Sequence, residues 1–467
     1  KNGTADLIVK GDNSSFEGTT TIHDGSIIFN KTDVNESYFA GNTVINQNGA
    51  LEFNLTADAA LSGTLSGSGT FIKSGNGTLE LTGSNNSFSG NAVIESGTIS
   101  YVQSENGSYF GGSTEIAAGA KLDFENDYVD NIKELSGSGE LNKTGSGKLN
   151  LTGDNSGFGG DLNIKEGILS FNKNGSDAFI SGNANISSGA ELVFNLSQSE
   201  TLAGGQIQGE GTFTKSGSAD LNLSGDNSGF SGTVNIASGN MNYTQTGDSK
   251  YFGGTTNISG GTLNFENNIA DENLTLSGGN GVLNKTGSET LNLVGDNSGF
   301  TGDINIKEGT LAFNDLNNKF VQSEINIQGS SPDNTANLVY TANSDNSFDN
   351  TVNLNGNASV TISGVGSNTI SVTNPANTSG NNNTAAYENA DFVFDNSFAD
   401  FGTTGTGNTL SVSNGSFSLG ENTKNFGNSS LNANFNDVTI DLHQPDDSSS
   451  GLDTLTFNDL NVTGNTS

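Results

Sequence analysis

Three identical hexapeptides, GDNSGF, place an acid, an amide and a hydroxyl side by side at residues 153–158, 225–230 and 295–300. Oxygen ligands of this kind suit calcium. Each loop has only one carboxylate, however, and Asn and Asp also favour tight turns and stacked amides for purely structural reasons. The sequence therefore predicts no metal or cofactor. It predicts structural turns at the repeated asparagines Asn85, Asn155, Asn227 and Asn297.

The serine of the same loop raises the question of nucleophilic catalysis. A serine triad needs a histidine base, and the chain has only His23, inside a repeat, and His443, near the far end. Neither recurs with the loops. We therefore predict no catalytic residue and no enzyme of this kind.

Lysines and aromatic pairs also recur along the chain. The repeated lysines Lys73, Lys143, Lys215 and Lys285 could form a basic stripe that binds a ligand. The favoured interpretation places them at the edges of turns, where they pair with acids or backbone carbonyls. The pairs Tyr38/Phe39, Tyr109/Phe110 and Tyr251/Phe252 must point one ring inward by strand alternation. The other ring is a candidate ligand contact, which we assign to Tyr38, Tyr109 and Tyr251.

The spacing of the lysines reveals the organisation that positions all these residues. Lys73, Lys143, Lys215 and Lys285 recur at a nearly constant interval of about 71 residues, which is too long for a single turn of a solenoid. Within each long repeat the pattern I-x-x-G-x-L-x-F occurs twice beside a G-x-G-x-L-x-K segment, which indicates about three turns of roughly 24 residues. Apolar residues alternate with a period of two, as in strands. This pattern predicts a parallel β-helix.

A glycine recurs in the turn of each I-x-x-G-x-L-x-F segment. We expect it to need a positive φ or a close backbone approach. These turn glycines are Gly25, Gly97, Gly167, Gly239 and Gly309.

Composition excludes several classes of function. There are 51 acidic residues against 16 basic ones, and the net charge of −35 argues against nucleic acid and anionic membranes as partners. The chain has no cysteine, so it has neither disulfides nor thiolate metal sites. No apolar run approaches the roughly 20 residues of a spanning helix, so we predict no membrane insertion by this segment.

The repeats divide the chain into two parts. Residues 1–330 form the predicted regular array, and residues 331–467 a less regular continuation of the same β-helix. A polar stretch at 374–386 is predicted as a loop, and Gln444 to Ser450 as an acidic turn between strands. The first copy is already under way at Lys1, so we expect a segment of a longer protein.

The phrase GSGELNKTGSGKLNLTGDNSGFGGDLNIKEGILSF (residues 137–171) resembles the passenger-associated transport repeat, also called the autotransporter-associated β-strand repeat. About a dozen positions agree at set spacing. The resemblance implies a right-handed parallel β-helix that is exported and displayed or released at the cell surface of a Gram-negative-type bacterium. It further implies attachment to the outer membrane through a barrel outside this segment.

The predicted function is that of a non-enzymatic surface or extracellular scaffold or adhesin, whose candidate partner is a host or neighbouring-cell ligand or glycan. Two alternatives stay open. One is a polysaccharide-degrading enzyme on the same fold, although lyases of β-helical type resemble one another in an arginine base that is absent here, and hydrolases need converging carboxylates. The other is a self-associating matrix fibre or surface-layer component.

Overall fold

A computed structural model describes residues 1–102, 105–107, 109–203, 205–315, 320–366, 368–373, 376–394, 406–419, 425–427, 431–441, 454–456 and 459–464 of the chain. Across these residues the secondary structure is strand, turn and bend, without helix. None of the described segments could therefore cross a membrane as a helix. The chain forms two compact units, residues 1–221 with 227–233 and residues 222–226 with 234–467.

The strands are short because glycine- and Asx-rich turns interrupt them at nearly constant intervals. Up to residue 216 they are β1 (Leu7–Val9), β2 (Thr20–Lys31), β3 (Thr43–Leu55), β4 (Ala59–Leu61), β5 (Leu65–Gly67), β6 (Thr70–Ser74), β7 (Thr78–Leu81), β8 (Asn91–Ile94), β9 (Thr98–Val102), β10 (Ser113–Ile116), β11 (Lys121–Glu125), β12 (Asp130–Ile132), β13 (Glu134–Gly137), β14 (Glu140–Thr144), β15 (Lys148–Leu151), β16 (Asp161–Ile164), β17 (Ile168–Lys173), β18 (Ala184–Ile186), β19 (Glu191–Leu196), β20 (Glu200–Leu202), β21 (Ile207–Gly209) and β22 (Thr212–Ser216).

The remaining strands are β23 (Leu221–Ser224), β24 (Thr233–Ile236), β25 (Asn240–Thr244), β26 (Thr255–Ile258), β27 (Thr262–Glu266), β28 (Asp271–Ser277), β29 (Val282–Thr286), β30 (Thr290–Leu293), β31 (Asp303–Ile306), β32 (Gly309–Asp315), β33 (Ile325–Ile327), β34 (Ala336–Ala342), β35 (Asn346–Phe348), β36 (Val352–Asn355), β37 (Ala358–Gly364), β38 (Thr369–Val372), β39 (Asn377–Ser379), β40 (Thr384–Glu388), β41 (Asp391–Phe394), β42 (Thr409–Leu419), β43 (Asn425–Gly427), β44 (Asn432–Asp441), β45 (Thr454–Thr456) and β46 (Asp459–Thr463).

In the first unit the strands form three parallel sheets. The first sheet runs from β1 through β3, β6, β8 and β10 to β13; the second from β4 through β9, β14 and β18 to β21; and the third includes β12, β15, β17, β19 and β22. Each strand pairs with the equivalent strand one turn away, as Leu122 does with Leu141 and Ala184 with Ile207. The fold is thus an all-β parallel β-helix, as the sequence predicts, with turns slightly shorter than expected.

The second unit has the same architecture. One of its sheets is ordered β25, β27, β29, β31, β33, β36 and β39, and another runs from β28 through β30, β32, β34, β37, β40, β42 and β44 to β46. The pairings between these strands are parallel. Parallel stacking with alternating side chains places one face of every strand inside the turn.

Alternation fills the interior of each turn with apolar side chains. In β15, Leu149 and Leu151 are fully buried, whereas Lys148 and Asn150 are partly exposed. This pattern of one buried residue in two explains how a chain with 31% hydrophobic residues fills a core. Stacked turns bury a continuous apolar column in each unit.

One predicted loop is corrected by the structure. Within the stretch 374–386, the described residues 376–386 contain β39 and the start of β40, which pair with β36 and β37 in the regular ladder. The prediction was wrong because it took the polarity of the stretch as a sign of a loop. Strand pairing uses backbone hydrogen bonds, and the outward side chains of these strands are amides and hydroxyls. The predicted acidic turn from Gln444 to Ser450 lies outside the described residues.

Candidate functional site

The recurring lysines are buried and bind the backbone. The Lys143 side chain has no exposed surface, and its Nζ donates hydrogen bonds to the carbonyl oxygens of Thr144 (2.9 Å), Gly145 (2.6 Å) and Glu166 (3.0 Å). The first two carbonyls belong to its own turn and the third to the next. We call this arrangement the lysine clamp.

The clamp repeats along the chain. Lys73 Nζ donates to the carbonyls of Ser74, Gly75 and Ser96 at 2.8, 2.7 and 3.1 Å. Lys285 Nζ donates to the carbonyls of residues 286, 287 and 308 at 3.0, 2.8 and 3.1 Å. The favoured interpretation of these lysines, as residues that satisfy local carbonyls, is therefore confirmed for the described contacts.

Burial shifts the acid–base equilibrium of the clamp. It lowers the pKa of each clamp lysine from 10.5 to about 8, because desolvation disfavours the ammonium; the lysines concerned are Lys73, Lys143, Lys215 and Lys285. Nearby acids, such as Glu166 beside Lys143, oppose this shift in pKa. At neutral pH the lysines remain charged, and an ammonium can donate to all three carbonyls.

A glycine of the next turn covers each clamp. Gly167 has a φ of 70°, and a Cβ added there would lie 2.5 Å from the carbonyl oxygen of Gly145 and 2.9 Å from Lys143 Nζ. Residues with a Cβ rarely adopt this backbone conformation. The five predicted turn glycines all have a positive φ, at Gly25 (68°), Gly97 (70°), Gly167 (70°), Gly239 (69°) and Gly309 (70°).

The clamps do not line up on one face. Lys73 pairs with Ile94 in the first sheet, Lys143 with Ile164 in the second, and Lys215 with Phe194 in the third. Each long repeat therefore spans three turns and a further part of one. Because the lysines are buried and lie on different sheets, they cannot form a basic stripe.

The repeated asparagines connect consecutive turns. Asn155 is fully buried; its Oδ1 accepts a hydrogen bond from the Leu135 amide at 2.9 Å, and its Nδ2 donates to the Gly153 carbonyl at 2.6 Å. Asn85 and Asn297 make the equivalent bonds to the amides of Leu65 and Leu276. Asn227 is buried as well. These side chains are structural because their polar atoms face the backbone.

The acid of the GDNSGF loop also serves the turn. Asp154 Oδ1 accepts a hydrogen bond from the Ser156 amide at 3.1 Å, and hydrogen bonds from Ser156 lower the pKa of this exposed carboxyl. Asp296 accepts equivalent bonds from Ser298. Within the described part of the chain, no group of three or more acidic, histidine or cysteine side chains converges as a metal site.

The candidate ligand-contact tyrosines are buried, which contradicts an exposed platform. Tyr38, Tyr109 and Tyr251 are 4%, 2% and 4% exposed. Tyr109 packs between the rings of Tyr101 and Phe124, on consecutive turns, with centroids 4.9 Å away in each case. In the second and third pairs both rings are buried, because these residues lie outside the strands, where strict alternation does not apply. Burial raises the pKa of Tyr38 to about 12.

Sequence reasoning also missed two acids at equivalent positions of consecutive repeats. Asp130 is buried, and its Oδ2 accepts hydrogen bonds from the Tyr101 hydroxyl (2.9 Å) and the Tyr109 amide (3.2 Å). Glu200 forms an ion pair with Lys173 at 3.0 Å and accepts from the Phe179 amide at 3.4 Å. Their separation by one long repeat is the signal that could have identified them as equivalent.

A surface feature of the second unit was likewise missed. Asparagines at the centres of consecutive strands form a chain of side-chain hydrogen bonds 2.7–3.3 Å long, each Nδ2 donating to the Oδ1 of the previous turn. We call it the asparagine ladder. Its members are Asn222, Asn242, Asn264, Asn284, Asn305, Asn326, Asn353 and Asn377.

The fold and these contacts define a class of protein: a parallel β-helix of tandem repeats whose repeated lysines and turn asparagines are buried and bind the backbone. The family model for the passenger-associated-transport-repeat matches residues 1–28, 71–100, 141–171, 213–241 and 283–313. The chain therefore carries five copies of this repeat. The last four each contain one of the clamp lysines in their first strand, and the first copy has Lys1 at the equivalent place. The repeats and the fold fit an exported β-helical passenger.

Similar proteins add little beyond this. The chain is 31% identical over 202 residues to the uncharacterized lipoprotein YdeK of Escherichia coli (strain K12), a match that covers 43% of this chain and 14% of that protein. The chain thus spans about one-seventh of this relative. Two mutant tailspike structures of E. coli bacteriophage HK620 in complex with pentasaccharide are each 12% identical, cover 96% of this chain and 73% or 72% of theirs, and have TM-scores of 0.14 and 0.13.

Proposed function

We propose that this chain is the β-helical passenger part of an exported surface protein and acts as a non-enzymatic scaffold or adhesin. In this proposal it is displayed outside a Gram-negative-type bacterium and is attached to the outer membrane. Its partner is a ligand or glycan of a host or neighbouring cell.

The observation that carries the proposal is that the recurring polar residues serve the backbone. The ammonium of Lys143 contacts three carbonyls, and Asn155 bridges two turns. A repeat that uses its functional groups in this way extends the column without adding a site.

Surface display tests the proposal directly. The chain would be expressed in E. coli between an export signal and an outer-membrane autotransporter barrel, with an epitope tag next to Lys1. We expect the tag to be stained on intact cells and to be removed by added protease. Retention of the folded chain in the periplasm would contradict the passenger role. Display without increased attachment to epithelial cells would favour the scaffold over the adhesin.

A second candidate function, self-association into a fibre or matrix, is favoured by the asparagine ladder. An amide has two N–H donors and two acceptor lone pairs, and the bonds along the ladder use one of each. The amides are uncharged and partly exposed on a chain with a net charge of −35, so the ladder itself adds no repulsion between two copies.

Light scattering at increasing salt tests self-association, because salt screens the repulsion between acidic surfaces. We expect the mass to rise with salt, and Asn284→Asp together with Asn305→Asp to prevent the rise. The matched control adds the same two charges to a hydrogen-bonded amide pair of the first unit, Asn150→Asp together with Asn172→Asp. A monomeric mass at all salt concentrations, or assembly unchanged by the double variant, would contradict this function.

A further inference from the structure

Two buried lysines of the first unit occupy the same place in the coil. Lys31 and Lys173 each end the sequence FNK, and each pairs in register with a leucine of the next turn, Leu55 and Leu196 respectively. Both lysines are buried, with 5% and 9% of their surface exposed. Their surroundings can therefore be compared directly.

The counter-charge of Lys173 comes from the following turn. Glu200 stands shortly after Leu196 and is the first residue of β20. Its Oε2 accepts hydrogen bonds from Lys173 Nζ at 3.0 Å and from the Phe179 amide at 3.4 Å. The carboxylate thus joins a buried ammonium to a backbone amide, and such a partner matters because an unpaired buried charge is costly.

In the first repeat an alanine stands where this acid would be. Ala59 is the first residue of β4 and follows Leu55 at the same distance as Glu200 follows Leu196. A methyl group therefore replaces the carboxylate. Within residues 1–102, which the structure describes throughout, no ion pair or hydrogen bond joins the Lys31 ammonium to an acceptor.

The backbone amide at this corner lacks the acid as well. Tyr38 is the counterpart of Phe179, because the amide two residues after each of them bonds to the carbonyl of a phenylalanine in the previous turn. The contacts of residues 1–102 include no acceptor for the Tyr38 amide. An ammonium and an amide thus remain as donors where Lys173 and Phe179 share Glu200.

Three acids lie on the segments that flank this corner, and each is engaged elsewhere. Asp33, Glu36 and Asp58 accept hydrogen bonds from backbone amides, at 3.0 Å, 2.6–3.2 Å and 2.7 Å respectively. None of them forms an ion pair with Lys31 in this described stretch. The first repeat therefore supplies no counter-ion of its own.

The comparison between the two repeats selects the class of ligand. Both groups at the corner are donors, and one carries a positive charge, so the matching group is an anionic acceptor. Hydrogen bonds between charged groups are about twice as strong as neutral ones. The group that fits the same corner at Glu200 is a carboxylate. Ala59 is partly exposed, so this place can be reached from solvent.

We propose that this corner binds a carboxylate from outside the chain, with the Lys31 ammonium and the Tyr38 amide as its donors. The carboxylate belongs to a small free acid anion or to an acidic side chain of another molecule. The proposal goes beyond the display role, since a scaffold needs no ligand.

Urea unfolding of the full chain in sodium acetate tests the site, with sodium chloride at the same ionic strength as the reference. A ligand that binds only the folded state raises stability as its concentration rises. We expect the urea midpoint to be higher in acetate than in chloride. Lys31→Met, which keeps the apolar part of the side chain, should remove this difference.

A second probe distinguishes the two sources of the carboxylate. It is a hexaglutamate peptide with blocked termini, compared with chloride in the same way. A shift of the midpoint in acetate assigns the site to small free anions. A shift with the peptide alone assigns it to acidic side chains.

Ala59→Glu supplies the carboxylate within the chain. We expect it to raise the midpoint in chloride, to lose the response to acetate, and to gain nothing when it is combined with Lys31→Met. The matched control is Ala60→Glu, which adds the same charge at the next, exposed residue. This control should keep the response to acetate and should not raise the midpoint.

Three results would overturn the proposal: no shift with either probe, a shift that persists in Lys31→Met, or an equal gain in Ala60→Glu. If Lys31→Met does not fold, the response of Ala59→Glu to acetate decides in its place, and a response that is retained there overturns the site. Surface display of the tagged chain is measured separately, so failure of this site leaves the proposed passenger role standing.

Discussion

Replacing Lys143 by methionine tests the lysine clamp, because methionine keeps the apolar part of the side chain and removes its three donors. The Thr144 carbonyl keeps a hydrogen bond from the Asn126 amide, so two carbonyl oxygens, those of Gly145 and Glu166, lose the bond from the ammonium. Each buried acceptor left unsatisfied costs about 1–3 kcal/mol. Methionine also avoids the cost of burying a charge. The pKa of Lys143, lowered from 10.5 to about 8, sets this cost at about 3 kcal/mol of the free energy of unfolding. The net loss in the free energy of unfolding expected from these two terms is about 1 kcal/mol.

The control is Lys165→Met in the next turn. Lys165 is exposed, and surface substitutions of this kind change stability by about 0.5 kcal/mol or less. Urea unfolding followed by circular dichroism gives the midpoints. Hydrogen exchange shows whether the loss is local, since each turn of a solenoid contacts only its neighbours.

We expect faster exchange at Thr144, Gly145 and Glu166 in Lys143→Met. Equal urea midpoints for Lys143→Met and Lys165→Met would refute the reasoning. Such a result would mean that water satisfies the carbonyls as well as the ammonium does.

Three further predictions concern the same turns. First, the free energy of unfolding should rise between about pH 8 and 10. Unfolded lysines, with a pKa near 10.4, bind more protons in this range than the folded clamp lysines, whose pKa is about 8. Urea midpoints that stay flat or fall over this range, or a rise that is undiminished in Lys143→Met, would contradict the prediction. Second, Gly167→Val should lose about 3 kcal/mol or more through its φ of 70° and the carbonyls near its Cβ, and equal urea midpoints for Lys165→Val would exclude the geometric reason. Third, Asn155→Ala should lose about 2 kcal/mol by orphaning the Leu135 amide, whereas Ser156→Ala, at an exposed neighbour, should change the midpoint little.

The fold was predictable because its signals are local and repeated. Apolar residues two positions apart, such as Leu149 and Leu151, identify strands. Glycines that recur at the position of Gly167 in other repeats identify a turn that needs a positive φ. Each signal is confirmed by many copies, so chance matches are averaged out. The loop prediction for 374–386 was wrong for the opposite reason. This stretch occurs once in the chain, and its strands carry few apolar residues.

The sites were less predictable because burial of polar and aromatic side chains depends on neighbours one turn away. Tyr109 is covered by Tyr101 and Phe124, which are separate from it in sequence but packed against it by the coiling of the chain.

The ratio of repeat length to turn length decides where an extended binding face can form. A motif that occurs once in each long repeat moves from one sheet to the next, as Lys73, Lys143 and Lys215 do, so an exposed side chain with that spacing would be scattered around the column. A side chain that recurs at every turn stays on one sheet instead, and this is the pattern of Asn264, Asn284 and Asn305. Continuous surfaces in such a protein therefore arise from the turn-level pattern, whereas the long repeat supplies the internal clamps that hold the turns together.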